Sequence, residues 1–340
     1  MPGWTHTAFP IGEPSRIGEA RRHAAARSGE LSFGDVEAGQ LALVVNELGT
    51  NLLKHAQGGH LLIAARPEHG DVEVLSVDCG PGMADIRRSL EDGYSTAGTK
   101  GTGLGAVKRL SREFALHSRP GEGTLCLARV GRMGGRKATD AAAAEEFEYG
   151  AVCVPAPGER VSGDSWSVAV EGSNAAVLIA DGLGHGPDAA KASLAAAAVF
   201  DADPFASLRD GIGRIHTALQ ATRGAAVCVA NVDAAASSVR YAGAGNIVGR
   251  IVSGLVDRSL ATQHGTAGVQ IRRTEESTSE LPPHALLVVH SDGLETRWTT
   301  APLLPLLQSH PALLAAALWR AHSRRRDDVS VVVLRRKEAA

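Results

Sequence analysis

The stretch Val177-Leu-Ile-Ala-Asp-Gly-Leu-Gly-His-Gly186 joins an apolar run to an aspartate and a glycine-rich turn. The apolar run, 177–180, predicts a buried strand, so Asp181 lies where side chains leave the core. The glycines permit backbone conformations that are closed to other residues, so backbone carbonyls can approach a ligand. From Pro187 the sequence becomes rich in alanine and predicts a helix. This order indicates a cation site rich in oxygen ligands, although an ordinary turn with a solvated aspartate fits the same residues.

Length and charge limit the classes of protein to which the chain can belong. The 340 residues suggest two domains, because about 150 residues per domain is a reasonable prior. The 35 Lys and Arg residues nearly balance 37 Asp and Glu residues, which disfavours binding to nucleic acid. No apolar run reaches the roughly 18 residues that span a bilayer, and the N-terminus does not resemble a signal peptide. We therefore expect a cytoplasmic protein that binds neither membrane nor nucleic acid.

The four cysteines are widely separated in the sequence, at Cys79, Cys126, Cys153 and Cys228. Their spacing matches neither a zinc knuckle nor a CxxC redox pair. We expect them to act as small apolar residues in a reducing compartment.

Hydrophobic periodicity predicts alternating helices and strands in about the first 130 residues. The expected helices cover 16–27, 35–56, 84–91 and 106–114, and the expected strands cover 60–65, 72–77, residue 116 and 125–130. Residues 92–105 are rich in Gly, Ser and Thr and predict a loop. A change of composition over 131–146 indicates a linker.

The second half predicts runs of strands interrupted by pairs of helices, which is typical of an α+β or layered sandwich. Strands are expected near 149, at 166–170, in the run that ends at Asp181, and over 226–232, 239–242, 247–252, 286–290 and 329–334. Helices are expected over 189–200, 205–221, 302–308 and 311–323. The two halves share no repeat, so we expect two domains with different functions.

Four acidic positions of the second half lie at predicted strand edges or turns: Asp164, Asp181, Asp292 and Asp327. If their strands are neighbours, the carboxylates converge at one end of a sheet. Hard oxygen ligands of this kind suit Mg²⁺ or Mn²⁺. Two such ions about 4 Å apart can hold a water for in-line attack on phosphorus.

The order Ser-Gly-Asp164, Asp181-Gly-Leu-Gly-His-Gly, Ser-Asp292-Gly-Leu-Glu and Arg-Asp327-Asp-Val-Ser resembles the PPM-type metal-dependent serine/threonine phosphatases, in particular their SpoIIE/RsbX branch. The resemblance spans 149–334 and includes Tyr241-Ala-Gly-Ala-Gly-Asn246. It implies a β-sandwich flanked by helices and a site for two Mn²⁺ or Mg²⁺ ions. The implied roles are the following: Asp181 bridges the metals and acts in catalysis, the Gly182 carbonyl supports one metal, Asp292 and Asp327 hold the other, and Asp164 helps through water. Asp328 falls where the family often has Asn, so we assign it a neighbouring role.

Two sequence features close to these acids, a histidine and a run of arginines, can each be interpreted in two ways. His185 fits a general acid or a structural turn histidine. The run Arg324–Arg326 fits a surface that steers a phosphoprotein, because guanidinium groups suit phosphate, or a solvated basic run.

Weak signals for a nucleotide site recur through the first half. Glu47 and Asn51 share a helix face, where Asn51 offers an oxygen to Mg²⁺ and Glu47 can deprotonate a hydroxyl. Asp78 ends a predicted strand and can accept a hydrogen bond from an adenine amino group, with Gly80 and Gly82 admitting the ring. The segment Gly101-Thr-Gly-Leu-Gly105 opens a helix whose backbone N–H groups suit phosphates, but it is not a Walker A loop.

The order and spacing of these signals over about 30–130 resemble the GHKL ATP-binding fold. The N-box is Glu47/Asn51, the first glycine box is Asp78-x-Gly80-x-Gly82, the second contains Gly101, Gly103 and Gly105, and Thr124 lies in the later Gly-Thr element. The segment Gly105-Ala-Val-Lys-Arg-Leu-Ser-Arg-Glu-Phe114 resembles the RsbT switch kinases. The resemblance implies binding of ATP with Mg²⁺ and phosphorylation of a serine or threonine on a STAS-type antagonist.

We therefore expect a two-domain α/β (α+β) signalling protein of bacterial stress-response, sigma-factor-regulating type. A GHKL-like α/β sandwich over 1–130 is followed by a linker over 131–146 and by a PPM/SpoIIE-like β-sandwich phosphatase over 147–337. The expected partner is a STAS-domain antagonist or a related phosphoprotein. The alternatives are a phosphatase whose first domain only senses ATP or binds a partner, and a regulator without enzymatic activity.

Overall fold

The computed structural model describes residues 1–56, 58–90, 103–131, 146–271 and 274–337. The chain divides into two compact units. The first unit is His6–Ala141, and the second unit combines Met1–Thr5 with Ala142–Ala340. The predicted α/β two-domain fold class is confirmed.

The first unit is one sheet with helices packed against it. Its elements are β1 (Thr7–Ile11), α1 (Pro14–Glu30), α2 (Asp35–His55), β2 (Gly59–Arg66), a 3₁₀ turn (Pro67–His69), β3 (Asp71–Asp78), α3 (Ile86–Ser89), α4 (Leu104–Leu110), β4 (Glu113–Arg119) and β5 (Gly123–Gly131). The strand order is β1-β2-β3-β5-β4 and all the pairs are antiparallel.

The core of the first unit lies between α1, α2 and one face of the sheet. Leu41, Val44, Leu48 and Leu52 of α2 are almost fully buried, at the three- and four-residue steps that place them on one helix face. They pack with Ile63 and other strand residues in one cluster. This packing fixes α2, and with it Glu47 and Asn51, against the sheet.

Two elements of the first unit differ from the sequence expectation. The predicted helix over 106–114 ends at Leu110, and Glu113 already starts β4. The Arg112 backbone N–H donates to the Arg129 carbonyl at 2.8 Å, so pairing with the neighbouring strand ends the helix. Strand β1 was not predicted, because an edge strand of five residues that contains Pro10 carries little periodic signal.

In the described part of the second unit, the strands form two five-stranded sheets and a two-stranded one. Its strands are β6 (Phe147–Val154), β7 (Asp164–Glu171), β8 (Asn174–Gly182), β9 (Ala225–Asp233), β10 (Ser238–Ala244), β11 (Val248–Val252), β12 (Asp257–Leu260), β13 (Gly265–Thr266), β14 (Gln270–Ile271), β15 (Ser277–Glu280), β16 (Leu286–His290) and β17 (Val329–Arg336). Its helices are α5 (Pro187–Ala202), α6 (Leu208–Leu219), a 3₁₀ helix (Ala301–Leu306) and α7 (Pro311–His322).

The large sheets have the orders β15-β10-β9-β8-β7 and β12-β11-β16-β17-β6. Helices α5 and α6 pack on the first of them and α7 packs on the second. Strands β7 and β17 contact each other between the sheets. The second unit is therefore a β-sandwich flanked by helices, as expected.

The first five residues extend the edge of the second unit's sheet rather than belonging to the first unit. Pro2 pairs with Ser167 of β7, and the Gly3 N–H donates to the Trp166 carbonyl at 2.8 Å. Trp4 is 6% exposed and meets the Trp166 ring edge-on, with ring centres 4.6 Å apart. The sequence-based boundary at residue 1 therefore differs from the observed division, while most of the predicted linker lies outside the described residues and stays a prediction.

None of the described helices combines the length and the apolar character needed to cross a membrane.

Candidate functional sites

The carboxylate cluster of the second unit begins with a cross-strand pair. Asp164 opens β7 and lies directly opposite Asp181 near the end of β8. Asp164 is only 3% exposed, and its Oδ2 accepts a hydrogen bond from Ser291 Oγ at 2.6 Å. Ser291 Oγ also accepts from the Ser330 backbone N–H at 3.0 Å. Ser291 directly follows β16 and Ser330 lies in β17 of the opposite sheet, so these contacts tie the ends of the two sheets together at the acids.

Two more predicted ligands, Asp292 and Asp327, reach the same place from the second sheet. Asp292 follows β16, and its Oδ2 accepts from Asn246 Nδ2 at 2.5 Å. Asp327 precedes β17 and interacts electrostatically with both Asp181 and Asp292. Asp328 is buried and its Oδ1 instead accepts from the Ala156 N–H at 2.8 Å.

The mutual repulsion of these acids gives the cluster its electrostatic character. Burial raises the pKa of Asp181 far above its ordinary value, and the nearby carboxylates of Asp164, Asp292 and Asp327 raise it further. Burial likewise raises the pKa of Asp164, against the hydrogen bond from Ser291. Carboxylates packed this closely cannot all ionise unless positive charge joins them.

Divalent cations fit this cluster. The buried Oδ1 of Asp164 meets no hydrogen-bond donor within the part of the chain that the structure describes. The donors are carboxylate oxygens, which Mg²⁺ and Mn²⁺ prefer. Bound cations would therefore complete the coordination of Asp164 and remove the electrostatic cost of ionising Asp181.

The rim of the cluster carries a histidine–carboxylate contact. His185 Nδ1 lies 2.7 Å from Glu159 Oε1, and the His185 side chain is 64% exposed. His185 also acts electrostatically on Asp328. Both of its sequence interpretations remain compatible with this position.

The first unit contains a turn built around Asp78. Its Oδ1 accepts from the Gly80 N–H at 2.8 Å and from the Thr124 N–H at 3.1 Å. Ser118 Oγ lies 2.9 Å from Thr124 Oγ1 and accepts from the Met83 N–H at 2.9 Å. The end of β3 and the turn between β4 and β5 are thus joined by side chains around one carboxylate.

Gly82 is required by this turn. Its φ of +68° lies in the left-handed region. An added Cβ would stand 2.0 Å from the Arg119 carbonyl oxygen, so no other residue fits without moving the backbone. The glycine therefore lets the segment after Asp78 lie against the β4–β5 turn.

The remaining predicted nucleotide residues lie on two helices. Glu47 and Asn51 are half-buried on α2, one turn apart. Gly103 is the N-cap of α4 and Gly105 lies in its first turn. Gly101 and the predicted lid over 92–100 lie outside the described residues.

Four residues near these sites were not singled out as site residues from the sequence. Tertiary contacts bring them there: Asn246, Ser291, Glu159 and Ser118. Of these, Asn246 and Ser291 lie in the motifs Tyr241–Asn246 and Ser-Asp292-Gly-Leu-Glu, whereas Glu159 and Ser118 had no sequence signal.

Each half of the chain is similar to a different family of known proteins. Residues 12–129 match the family described as histidine kinase-like ATPase domain, and residues 171–337 match stage II sporulation protein E (SpoIIE). The serine/threonine-protein kinase RsbT of Bacillus subtilis (strain 168) is 41% identical over 97 residues, which are 28% of this chain and 73% of RsbT. The chain belongs to the RsbT family. This membership rests on the first unit, and the SpoIIE match shows that a phosphatase domain is fused to it.

Two solved structures resemble the chain over 56% of its length. One comes from work on the bacterial stressosome as a modular system adapted to control secondary messenger signalling; it is 27% identical, with a TM-score of 0.53, and all of it is covered. The other is RsbX in complex with magnesium, 18% identical, with a TM-score of 0.51 and 96% of it covered. At 18% identity, the likeness to RsbX shows a shared fold alone.

These matches confirm the predicted fusion of an RsbT-like kinase domain with a SpoIIE/RsbX-like protein phosphatase domain. They imply divalent metal ions for the phosphatase domain and ATP for the kinase-like domain. They also place the chain among signalling proteins that act on protein partners.

Proposed function

We propose that the chain sets the phosphorylation state of a STAS-type antagonist protein, with the second unit removing phosphate from a serine or threonine and the first unit adding it. The observation that carries the phosphatase half is the Asp164–Asp181 pair inside a cluster of four carboxylates. RsbT supports the kinase half, because that relative is named a serine/threonine-protein kinase.

The carboxylate cluster is suited to two Mn²⁺ or Mg²⁺ ions. Asp181 would contact both ions, Asp292 and Asp327 would hold one, the Gly182 carbonyl would support the other, and Asp164 would help through water. When bound, such ions neutralise the phosphoryl oxygens and lower the pKa of water. Asn246 and Ser291 keep the carboxylates oriented through their hydrogen bonds to Asp292 and Asp164.

The first unit is suited to ATP with Mg²⁺. Asp78 would accept a hydrogen bond from the adenine amino group, and the bonds from Gly80 and Thr124 that hold its carboxylate support this role. Asn51 would hold the metal, and Glu47, one turn away on the same helix, would take the proton of the substrate hydroxyl. Phosphoryl transfer needs chiefly positioning and charge neutralisation, which this arrangement offers.

The test uses the full chain and a purified STAS-domain protein. Wild-type chain with Mn²⁺ should release phosphate from the phosphorylated STAS protein, and label from γ-labelled ATP should move to the unphosphorylated one. Asp181→Asn should stop release and leave transfer intact, whereas Glu47→Gln should do the reverse. Release or transfer that persists in the matching variant would contradict the corresponding half.

A second candidate keeps the phosphatase and makes the first unit a sensor of ATP or a partner-binding module. The fixed Asp78 turn favours nucleotide binding under either candidate. Binding of ATP without any transfer of label to the STAS protein would select the sensor.

A further inference from the structure

Three consecutive arginines, Arg324–Arg326, directly precede Asp327, and the middle one packs on a neighbouring helix. Arg325 has a φ of +57°, in the left-handed region, so the chain turns sharply at this residue. Its guanidinium lies over the Trp319 ring, 4.2 Å from the ring centre, and Nη2 donates to the Arg320 carbonyl at 3.5 Å. Arg325 is therefore directed back onto α7.

The same loop is fastened to the segment that carries Asp292. The Arg324 N–H donates to the Gly293 carbonyl at 2.9 Å, and Ser323 pairs with Leu294. A Cβ on Gly293 would stand 1.9 Å from the Asp328 carbonyl oxygen, so the two segments touch through their backbones. The backbones of Arg324 and Asp292 are thus held as neighbours.

Arg324 and Arg326 leave the backbone beside the residues of the carboxylate cluster. Both are exposed, and neither side chain has a hydrogen bond or ion pair among the residues that the structure describes. Arg326 directly precedes Asp327 in the chain, and the Arg324 N–H donates to the carbonyl of Gly293, the residue after Asp292. Both arginines therefore start from the backbone segments that carry two of the carboxylates.

We propose that Arg324 and Arg326 form a phosphate-binding fork at the mouth of the carboxylate cluster, which captures the phosphomonoester of a phosphoserine or phosphothreonine side chain. This proposal rests on the phosphatase half of the proposed function and adds its substrate-binding residues. A guanidinium offers a planar set of donors that matches phosphate oxygens in pairs. The fork supplies positive charge where a dianion would otherwise approach a group of carboxylates.

Two other roles for these arginines make different predictions. A solvated basic run would affect neither phosphate nor metal binding. Arginines that only balance the charge of Asp292 and Asp327 would weaken metal binding, so their removal would strengthen it and leave phosphate affinity unchanged.

The experiment compares the full-length wild type with Arg324→Gln, Arg326→Gln and the double variant. Arg258→Gln is the matched control, because Arg258 is also exposed in the second unit but lies on β12, opposite Ile251. Three quantities are measured: the Kd of inorganic phosphate by calorimetry with Mg²⁺ present, KM and kcat for p-nitrophenyl phosphate, and the Kd of Mn²⁺ without phosphate.

Each single variant should raise the phosphate Kd and KM on the order of three- to tenfold, the range of one exposed charge-assisted contact, with the effects multiplying in the double variant. The kcat and the Mn²⁺ Kd should stay within about twofold of the wild type, which would exclude a misfolded site. Unchanged phosphate Kd and KM in the double variant, or tighter Mn²⁺ binding as the only effect, would overturn the fork.

Failure of the phosphatase assignment has a different signature. If the wild-type chain binds phosphate but does not hydrolyse p-nitrophenyl phosphate, the proposed phosphatase activity is wrong. The phosphate Kd values of the variants would still test the phosphate-binding fork. A wild-type chain that does not bind phosphate overturns the fork itself.

Discussion

Asp164 and Asp181 lie directly opposite each other on adjacent antiparallel strands, and Asp164 is only 3% exposed. Like charges opposite each other in a sheet are destabilising. The fold therefore places two acids where their repulsion lowers the stability of the metal-free protein. Bound cations would relieve that repulsion. Sites of this kind trade stability for function.

Replacing Asp181 by Asn should change stability and metal response together. Without metal, the variant should unfold at a higher temperature than the wild type, because one carboxylate leaves the cluster. The wild type should gain about 2.7 kcal/mol when Mn²⁺ is present at about 100 times its Kd, and the variant should lose most of that gain. Calorimetric unfolding with and without Mn²⁺ measures both effects.

The control for that experiment is Asp203→Asn, since Asp203 pairs with Arg214 on the exposed surface of the same unit. It should leave both the metal-free midpoint and the Mn²⁺ response unchanged. An Asp181→Asn midpoint below that of the wild type would contradict the repulsion described above.

Stability of the second unit should fall as the pH drops from about 6.5 to about 4, partly because of His290. His290 is buried, and it receives the Trp298 Nε1–H at its Nε2, at 3.2 Å. Its Nδ1 lies 2.8 Å from the Ser291 carbonyl and must carry the proton. Burial lowers its pKa to about 4, so within this range His290 becomes protonated in the unfolded chain but stays neutral in the folded chain.

At acidic pH, the buried neutral His290 lowers the free energy of unfolding by about 3 kcal/mol relative to neutral pH. Urea unfolding followed by tryptophan fluorescence from pH 4.5 to 7.5 measures it, and the four tryptophans all belong to the second unit. His290→Gln should be less stable at pH 7 but should show a flatter pH profile. An equally steep profile in the variant would assign the effect to other groups.

Gly82 and Gly121 provide a matched pair for the nucleotide site. Both have a positive φ, of 68° and 81°, but a Cβ on Gly121 would meet nothing within 4 Å. Gly82→Ala should abolish ATP binding, because the new Cβ collides with the Arg119 carbonyl at the Asp78 turn. Gly121→Ala should cost only about 1 kcal/mol of stability, the penalty of the left-handed conformation, and should keep ATP affinity. Calorimetric titration with ATP distinguishes them, and equal affinities would contradict the role of the turn.

Trp4 should stabilise the second unit although it precedes the first unit in sequence. Its ring packs on Trp166, and its carbonyl accepts from the Trp166 Nε1–H at 3.1 Å. Trp4→Ala should destabilise the second unit by about 3 kcal/mol, in the range of large-to-small core substitutions. Urea unfolding checks this, and Trp4→Phe should recover most of the loss. ATP affinity should be unaffected, and a variant as stable as the wild type would show that the segment contributes little.

The order of helices and strands was largely predictable, because long amphipathic elements such as α2 repeat their apolar residues at fixed steps. The missed strands β12 to β15 are short and mostly polar, for example Ser277–Glu280. They are held by pairing with neighbours rather than by a buried face of their own. A pattern read along the chain does not contain that pairing.

By itself, the sequence determined the fold class, the two-domain fusion and the acids worth testing, since Asp181 and Asp78 each end a strong apolar strand beside glycines. Only the tertiary structure decided that Asp164 opposes Asp181, that Ser291 joins the two sheets at these acids, and that the Arg325 guanidinium lies over the Trp319 ring. It also placed Trp4 with the second unit. Register, contact between sheets and side-chain direction depend on residues far apart in the chain, whereas local periodicity encodes only which face of each element is buried.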